Sequence, residues 1–450
     1  MVLGGLPIWF ALLSVFVLGS IIGSFLNVCV HRLPAHDSIA DGWMGLFHPP
    51  SRCPRCLHPI RLLDNIPMLG WLKLRGRCRD CSKSISVRYP LVEFFNGLLW
   101  VVMYMVEIGD YRPTDGPLTG SSGLFAGDLS PEPVFGSVFG SVFMSAEAIL
   151  HLRYLYHMVL LETLVVASLI DFDLMVIPDS VTVPAMIVGL VGSTLGCVYI
   201  LPVWFQIPDS VQNLFDNLVG DPDMLPGWLR AIRDGPRIPG WIEDSPRLHG
   251  LAVSAAGLIA GGGVIWLVRI TGHWVLKQEA MGFGDVTLMA AIGSFIGWQP
   301  VLVVFFIAPL IAVLFALANW FLRQEREFPY GPFLAIGTLF FLYAFRFLWI
   351  EHLEPTFGYG PFLLLLLAAG AVTFVPMLLL ARLIRRGLGI PDLQPIDPGP
   401  WRAADPLHFR DGEHVDRFEG RWRTGPELDW PGCDAGRGQR HEADWRNPGR

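Results

Sequence analysis

Repeated apolar stretches of about 20 residues constrain this sequence more than any other feature. A helix of that length crosses the ~30 Å hydrocarbon core of a bilayer, where only helices and closed barrels satisfy their own backbone groups. Barrel strands would give ~10-residue segments of alternating polarity, and the sequence has none. The sequence therefore predicts an all-α polytopic membrane protein with about eight or nine transmembrane helices. The predicted spans are 7–30, 90–107, 154–171, 180–203, 249–270, 286–298, 300–321, 332–351 and 361–383.

Composition agrees with a membrane protein. Hydrophobic residues make up 52% of the 450 residues and charged residues only 16%, whereas soluble proteins carry roughly 25% charged residues. The formal net charge of −7 predicts no nucleic-acid partner, because binding phosphates needs clustered positive charge. The first apolar stretch is too long for the core of a signal peptide and lacks a basic flank and a cleavage site. We therefore expect it to remain as the first span.

Basic residues predict the orientation, since the cytoplasmic loops of membrane proteins are enriched in Lys and Arg. Segment 31–89 has ten Lys or Arg against four acidic residues, whereas segment 108–150 has one arginine and segment 204–248 has four arginines against seven acidic residues. We expect the first segment in the cytoplasm and the other two outside.

The predicted domains are a first helix at 1–30, a cytoplasmic lobe at 31–89, a membrane core at 90–387 with external insertions at about 108–150 and 204–248, and a polar, flexible tail at 388–450.

Acidic residues lie at the predicted cytoplasmic ends of several spans. Asp171 ends the third span, Asp179 precedes the fourth and Asp285 precedes the sixth. A carboxylate beside an apolar helix is costly unless it has a use or a partner, and for Asp179 an N-cap role is the alternative. Gly282 and Gly284 permit close backbone approach beside Asp285. If Asp171 and Asp285 are close together, one keeps a proton while the other activates water, which predicts an aspartic protease.

Two other classes of protein are compatible with acidic residues in membrane helices. A transporter or proton relay uses them to carry ions, and the clustering of the acids at one face disfavours that interpretation. A non-catalytic scaffold built around the cysteine-rich lobe would keep its function when Asp171 and Asp285 are replaced by Ala.

Four of the seven cysteines form two Cys-x-x-Cys pairs in the segment expected to be cytoplasmic. These are Cys53 with Cys56 and Cys78 with Cys81. Two such pairs at this spacing predict a tetrahedral, structural Zn²⁺ site, and a cytoplasmic location disfavours disulfides. A redox pair or free thiols are the alternatives. Four sulfur ligands leave no open position, so this zinc is expected to hold a small lobe folded without taking part in chemistry.

The sequence resembles the type IV prepilin leader peptidases, a bacterial branch of the membrane aspartic proteases with a Gly-x-Gly-Asp motif. Gly282-Phe283-Gly284-Asp285 and the block from Ile170-Asp171 to Ile177-Pro178-Asp179 are similar to the family's motifs. Many members have Lys where this chain has Thr287. Further similar motifs, in the family's order, are Gly23 to Val28 with Arg32-Leu33-Pro34, Asn65-Ile66-Pro67, Arg75 to Cys78, Arg88 to Glu93, and Phe328 to Ala335.

This resemblance implies both an activity and a setting. Asp171 and Asp285 match the family's catalytic pair, and Glu93 and Asp179 are candidate substrate-site residues. The implied substrates are prepilins or pilin-like secretion proteins (pseudopilins), cut at the cytoplasmic face of the bacterial inner membrane and then N-methylated from S-adenosylmethionine. No Rossmann-type glycine motif supports that cofactor independently. The alternative within the class is a broader intramembrane aspartic protease acting on other single-span proteins, which the cysteine lobe disfavours.

Overall fold

A computed structural model defines the fold. It describes residues 2–3, 6–36, 38–47, 50–53, 56–108, 146–195, 246–276, 281–321, 329–353, 413–416 and 421–424, with isolated positions between 217 and 383. The predicted external insertions, the ninth span at 361–383 and the tail at 388–450 lie largely outside these residues.

Long helices dominate the described residues. They are α1 (Ile8–Arg32), α2 (Ile39–Phe47), α3 (Leu69–Lys73), α4 (Arg88–Ile108), α5 (Ala146–Leu174), α6 (Asp179–Thr194), α7 (Pro246–Leu276), α8 (Phe283–Ile296), α9 (Trp298–Phe321) and α10 (Gly331–Tyr343), followed by a π-helical segment, Arg346–Leu353. Two short antiparallel strand pairs accompany them, β1 (Val2–Leu3) with β2 (Leu6–Pro7) and β3 (Glu413–Asp416) with β4 (Arg421–Thr424). The β3–β4 pair lies in the segment for which the sequence predicted only a flexible tail.

The helices confirm the predicted all-α membrane architecture. Within the described residues, α1, α4, α5, α7 and α9 are long and apolar enough to cross a membrane, and α6, α8 and α10 are shorter apolar helices. These eight coincide with the first eight predicted spans. In the fourth, α6 ends at Thr194, and residues 196–203 of the predicted span lie outside the described residues.

The chain divides into two compact units within α4. One contains residues 1–101 and 397–450, and the other contains residues 102–396. The predicted division into first helix, lobe, core and tail remains a prediction.

In the first unit, α1 packs closely against the beginning of α4. A Cβ atom at Gly19 would lie 2.6 Å from the Trp100 ring, so only glycine permits this approach. The Asn96 side-chain amide donates a hydrogen bond of 2.9 Å to the Gly19 carbonyl, and the Asn27 amide donates one of 3.3 Å to the Tyr89 carbonyl. Small residues and interhelical amide hydrogen bonds of this kind join membrane helices.

In the second unit, α8 lies at the centre. Apart from Thr287, every residue of α8 from Asp285 to Ile296 is buried. Helices α7 and α8 touch backbone to backbone, because Gly257 and Gly293 each leave no room for a side chain on the other. Helix α9 follows directly after Gly297, whose φ of 86° suits glycine. This packing fixes the start of α8, where the Gly-x-Gly-Asp motif lies.

Candidate active site

Asp171 lies in the last turn of α5, just before a sharp break in the chain. Helix α5 ends at Leu174, and Met175 then adopts a φ of 57°, which is unusual for a residue other than glycine. The chain continues through the buried Ile177 until α6 begins at Asp179. The Asp171 residue is 6% exposed. The break therefore places a buried carboxylate at the junction of two membrane helices.

Asp285 is held by the start of its own helix. Gly282 is the N-cap of α8, and the Asp285 carboxylate accepts a hydrogen bond from the Gly282 backbone N–H. A side chain in the third helical position that bonds back to the N-cap is one half of a capping box. A negative charge also interacts favourably with a helix N-terminus. The Gly-x-Gly-Asp motif thus fixes the position of a carboxylate that is only 8% exposed.

Two glycines allow the acid-bearing segments to meet. A Cβ atom at Gly284 would lie 2.8 Å from the Ile177 Cβ atom, and one at Gly331 would lie 2.5 Å from Asp171 Oδ2 and 3.0 Å from Ile177 Cδ1. Ile177 therefore packs between Gly284 and Gly331. The Gly331 backbone N–H donates a hydrogen bond of 3.0 Å to Asp171 Oδ2. Three separate stretches of sequence converge here.

The structure brings Asp171 and Asp285 close enough for their charges to interact. Both are buried, and each accepts a backbone N–H, from Gly331 and Gly282 respectively. Neither acid has an ion-pair partner among the described residues. Two buried carboxylates whose charges interact do not both ionise easily. Such a pair can supply a general acid and a general base together.

The other predicted site residues have different surroundings. Asp179 is exposed and is the first residue of α6. Pro178 occupies the N-cap, and no side-chain hydrogen bond caps this end, so the alternative role of Asp179 as an N-cap is wrong. Glu93, in the first unit, is 8% exposed and accepts the Met68 backbone N–H at 2.6 Å. Met68 has a φ of 57°, so Glu93 holds an unusual backbone conformation in the lobe.

Thr287 takes the position at which many members of the resembled family have Lys. Its hydroxyl donates a hydrogen bond of 3.0 Å to the Gly284 carbonyl. This chain therefore uses a short side chain to stabilise the first turn of α8, where the carboxylate of Asp285 is fixed.

The four cysteines predicted to bind zinc form one cluster. All four Sγ atoms lie within 4.8 Å of one another, with Cys53 Sγ 3.9 Å from Cys81 Sγ and Cys56 Sγ 3.9 Å from Cys78 Sγ. None of them is in a disulfide. Tetrahedral Zn–S bonds of ~2.3 Å place sulfur atoms about 3.8 Å apart, so the cluster fits a metal ion of this type.

The two halves of the cysteine cluster repeat the same turn. Leu57 and Ser82 each follow the second cysteine of a pair. Their φ angles are 61° for Leu57 and 57° for Ser82. Their backbone N–H groups donate hydrogen bonds of 2.9 Å to the carbonyls of Cys53 and Cys78. Each pair is then closed by an isolated antiparallel bridge, Arg52 with Pro59 and Arg77 with Ser84. The two Cys-x-x-Cys pairs thus form equivalent turns, and their four Sγ atoms surround a common centre.

A bidentate ion pair supports the lobe beside this cluster. Arg79 donates hydrogen bonds of 2.7 Å and 2.6 Å to the two Asp64 carboxylate oxygens, and the Asp64 side chain is only 4% exposed. The hydrogen bonds from Arg79 hold the pKa of the Asp64 carboxyl below its usual value. Nothing in the spacing of residues 64 and 79 indicates contact, so this pair could not be predicted from the sequence.

A cavity of about 1030 Å³ lies within the first unit, and ligand cavities in proteins typically measure ~300–1,000 Å³. Trp71, Tyr89, His31 and Glu93 contribute to its wall. The His31 ring stacks on Tyr89, with ring centroids 6.0 Å apart, and its Nε2 atom lies 2.7 Å from the Tyr89 hydroxyl. The cavity therefore combines aromatic faces with a buried carboxylate.

Fold and site define a multi-span membrane protein with a buried carboxylate pair and a four-cysteine lobe. The family model described as "Bacterial Peptidase A24 N-terminal domain" matches residues 17–106, and that described as "Type IV leader peptidase family" matches residues 245–317. The chain belongs to the prepilin leader peptidase/N-methyltransferase family.

Curated relatives with that name cover most of both chains. The protein of Aeromonas salmonicida is 30% identical over 358 residues, which is 74% of this chain and 90% of the relative. Those of Stutzerimonas stutzeri and Pectobacterium carotovorum are 30% and 27% identical, covering 89% and 92% of the relatives. No solved structure gives a significant match. The resemblance stated from the motifs is thereby confirmed.

Proposed function

We propose that this protein is a membrane aspartic endopeptidase that cleaves the leader peptide of prepilins or pseudopilins, with Asp171 and Asp285 as the catalytic pair. The single observation that carries this role for the two residues is the meeting of two buried carboxylates whose charges interact. The family membership and the names of the relatives support peptide-leader cleavage as the reaction.

Hydrolysis by this pair needs one proton shared between the two acids. The ionised carboxylate removes a proton from a water molecule, which adds to the carbonyl carbon of the scissile peptide bond, while the protonated carboxyl donates to the carbonyl oxygen. The C–N bond then breaks as the pair gives a proton to the leaving amine and takes one back from a hydroxyl of the tetrahedral intermediate, which restores the single shared proton. The hydrogen bond from Gly331 holds Asp171 in place, and that from Gly282 holds Asp285. The apparent pKa values of such a reaction belong to the pair and not to either residue.

Replacing each acid by its amide tests this assignment. The assay uses a prepilin-like peptide with a basic leader, a glycine before the cleaved bond and an apolar helix after it, in detergent or liposomes. We expect Asp171→Asn and Asp285→Asn each to abolish cleavage, because neither variant can share a proton between two carboxyls. Asp173→Asn, two residues from Asp171 on the same helix, is the matched control and should cleave normally. Full activity in either of the first two variants would show that the pair is misassigned.

The same substrates distinguish this function from the alternatives. A broader intramembrane protease would cleave single-span helices without a basic leader as readily as prepilins. A transporter or a scaffold would leave every such peptide intact even when the protein is folded and metal-loaded. We propose further that the carboxylate pair and the cysteine lobe face the cytoplasm at the bacterial inner membrane, an orientation supported by the ten basic residues of segment 31–89.

We propose N-methylation of the new N-terminus as the second activity, with S-adenosylmethionine as the methyl donor. The relatives' names support this activity. The cavity in the first unit fits a donor of this size, because aromatic faces can hold the adenine and a carboxylate can face a positive group. Tyr89, Trp71 and Glu93 would line its binding site. When bound, the donor would supply a methyl group from its sulfonium sulfur.

Calorimetry tests the proposed donor site without any need for turnover. We expect S-adenosylmethionine to bind the purified protein and Tyr89→Ala to weaken that binding. Phe95→Ala removes another aromatic ring from α4, outside the cavity wall, and should leave the affinity unchanged. Equal affinities for wild type and Tyr89→Ala would exclude this cavity as the site.

A further inference from the structure

Tyr330 occupies a special place beside the two carboxylates. It is the N-cap residue of α10 and directly precedes Gly331, whose N–H is bonded to Asp171. The Tyr330 phenol is close enough to Asp285 for the charge of that carboxylate to act on it. A single dipeptide, Tyr330-Gly331, therefore contacts one acid through its backbone and approaches the other through its side chain.

The Tyr330 hydroxyl is buried and has no hydrogen-bond partner among the described residues. Buried polar groups are nearly always hydrogen-bonded, so an exception calls for an explanation. A hydroxyl group is an O–H donor that can rotate towards an acceptor. A polar group of a molecule bound at the carboxylate pair would supply such an acceptor.

Tyr343, at the opposite end of α10, provides a comparison within the same helix. Its hydroxyl is also buried without a partner among the described residues, but the charge that reaches it belongs to Glu107 and not to either acid of the pair. Burial of a tyrosine without a partner therefore does not by itself indicate function. What distinguishes Tyr330 is that it adjoins Gly331, which binds Asp171, and that the charge reaching its phenol is that of Asp285.

We propose that Tyr330 is a further catalytic residue, whose hydroxyl donates a hydrogen bond to the oxygen of the scissile carbonyl as the carbon becomes tetrahedral. This role rests on the proposed peptidase function of Asp171 and Asp285. Tyr330 keeps its proton throughout. The water proton passes to the ionised carboxylate as the C–O bond forms, and the protonated carboxyl donates to the carbonyl oxygen beside the Tyr330 hydroxyl. The C–N bond breaks as the pair protonates the amine and regains a proton from a hydroxyl of the intermediate. The hydroxyl stabilises the negative charge that develops on the oxygen in between.

The test compares Tyr330→Phe with Tyr343→Phe, since each change removes only one buried hydroxyl oxygen. Cleavage of a prepilin-like peptide is measured as kcat and KM over a range of pH, and thermal unfolding shows whether each variant is folded. We expect Tyr330→Phe to lower kcat by roughly 10²-fold, the usual effect of losing a donor to a developing oxyanion. Its KM and the midpoints of its pH profile should not change. Tyr343→Phe should match wild type in all respects.

Two results would overturn the proposal. In the first, Tyr330→Phe cleaves with the kcat of wild type. In the second, its kcat is restored at a shifted pH optimum, which would mean that Tyr330 tunes the carboxylate pair and does not touch substrate. Asp171→Asn and Asp285→Asn, run in the same assay, separate this proposal from the one it rests on. If those variants are inactive while Tyr330→Phe is normal, only the role of Tyr330 fails, whereas activity in the Asn variants removes the peptidase assignment itself.

Discussion

At the scale of single residues, the motif glycines serve packing more than flexibility. Gly284 and Gly331 are the two surfaces between which Ile177 fits, and Gly331 also meets the Asp171 carboxylate. Gly282 differs, because a Cβ atom there would lie 3.7 Å from Asp285 Oδ2, an ordinary contact. Its φ of −67° is also open to any residue. The two glycines of one motif therefore have unequal steric roles.

This difference predicts unequal effects of alanine substitution. Gly284→Ala should destabilise the second unit by ~1–3 kcal/mol, the usual cost of forcing atoms into a packed interior. Because Ile177 would be displaced, the acids should also lose their alignment and cleavage should fall. Gly282→Ala should be milder in both thermal unfolding and cleavage. A Gly282→Ala variant more damaged than Gly284→Ala would contradict these unequal steric roles.

A second prediction at this scale concerns the ion pair between Asp64 and Arg79. Asp64→Asn should destabilise the lobe at neutral pH, because Arg79 loses its charged partner. A carboxyl whose pKa is lowered by folding contributes its full stabilisation above the unfolded pKa of ~3.9 and loses it as the pH falls through the lower, folded value. The difference between wild type and Asp64→Asn should therefore be constant from pH 5 to 8.

Urea unfolding of the lobe at several pH values measures this difference. Asp41→Asn, an exposed acid on α2 in the same unit, is the control and should behave as wild type. Metal-linked stability, in contrast, falls with decreasing pH because the thiolates take up protons. A difference that shrinks steadily from pH 8 to 5 would thus point to the metal site and away from the ion pair.

At the scale of elements, the lobe between α1 and α4 depends on its two cysteine turns. The described residues of segment 50–87 form two short helical elements, Leu62–Asp64 and α3, and several leucines there are exposed. A lobe with so little hydrophobic core needs a cross-link or a bound metal ion to stay folded. The helices of the second unit pack directly against one another and have no such need.

Metal removal should therefore affect the two units differently. A strong chelator, or Cys53→Ser, should unfold the lobe, because metal binding and lobe folding are coupled. The purified protein should contain one zinc per chain by elemental analysis, and protease digestion should cut the metal-free lobe while α5–α10 stay protected. Cys29→Ala, on α1 and outside the cluster, should retain its zinc. A metal-free protein with an intact lobe would contradict this account.

At the scale of the whole molecule, the chain alternates between apolar helices and segments of contrasting charge. Segment 31–89 is basic and segment 204–248 is acidic. This asymmetry predicts opposite sides of the membrane for the two segments, with the substrate's basic leader on the side of the lobe.

Cysteine labelling in intact cells tests that orientation. A thiol reagent that cannot cross the inner membrane should modify Ser210→Cys, in the segment expected outside. It should not modify Met44→Cys, on α2 of the lobe, until the membrane is permeabilised. Met44 is 68% exposed, so a failure to react would reflect its compartment and not burial. The reverse labelling pattern would place the lobe outside and overturn the proposed topology.

The class of fold and the identity of the chemical groups could be predicted from the sequence alone. An apolar stretch of about 20 residues predicts a membrane helix wherever it occurs. The bilayer requires every spanning segment to cross the hydrocarbon core and to satisfy its own backbone hydrogen bonds. The four cysteines were likewise predictable, since their spacing within two short turns already sets the geometry of the sulfurs. Both features depend on interactions that are local in the chain or common to all spans.

Which of these groups meet depends on the tertiary packing. Gly331 lies 160 residues from Asp171 yet supplies its hydrogen bond. Ile177 packs against glycines from two distant segments, and Asp179, which the sequence presented as a helix cap, caps nothing. Arg79 reaches Asp64 across the intervening α3, and no periodicity indicates that contact. The contacts of Gly331 and Ile177 arise from the close packing of helices on one another, and a pattern of residue types along one chain does not encode the partner across a helix interface.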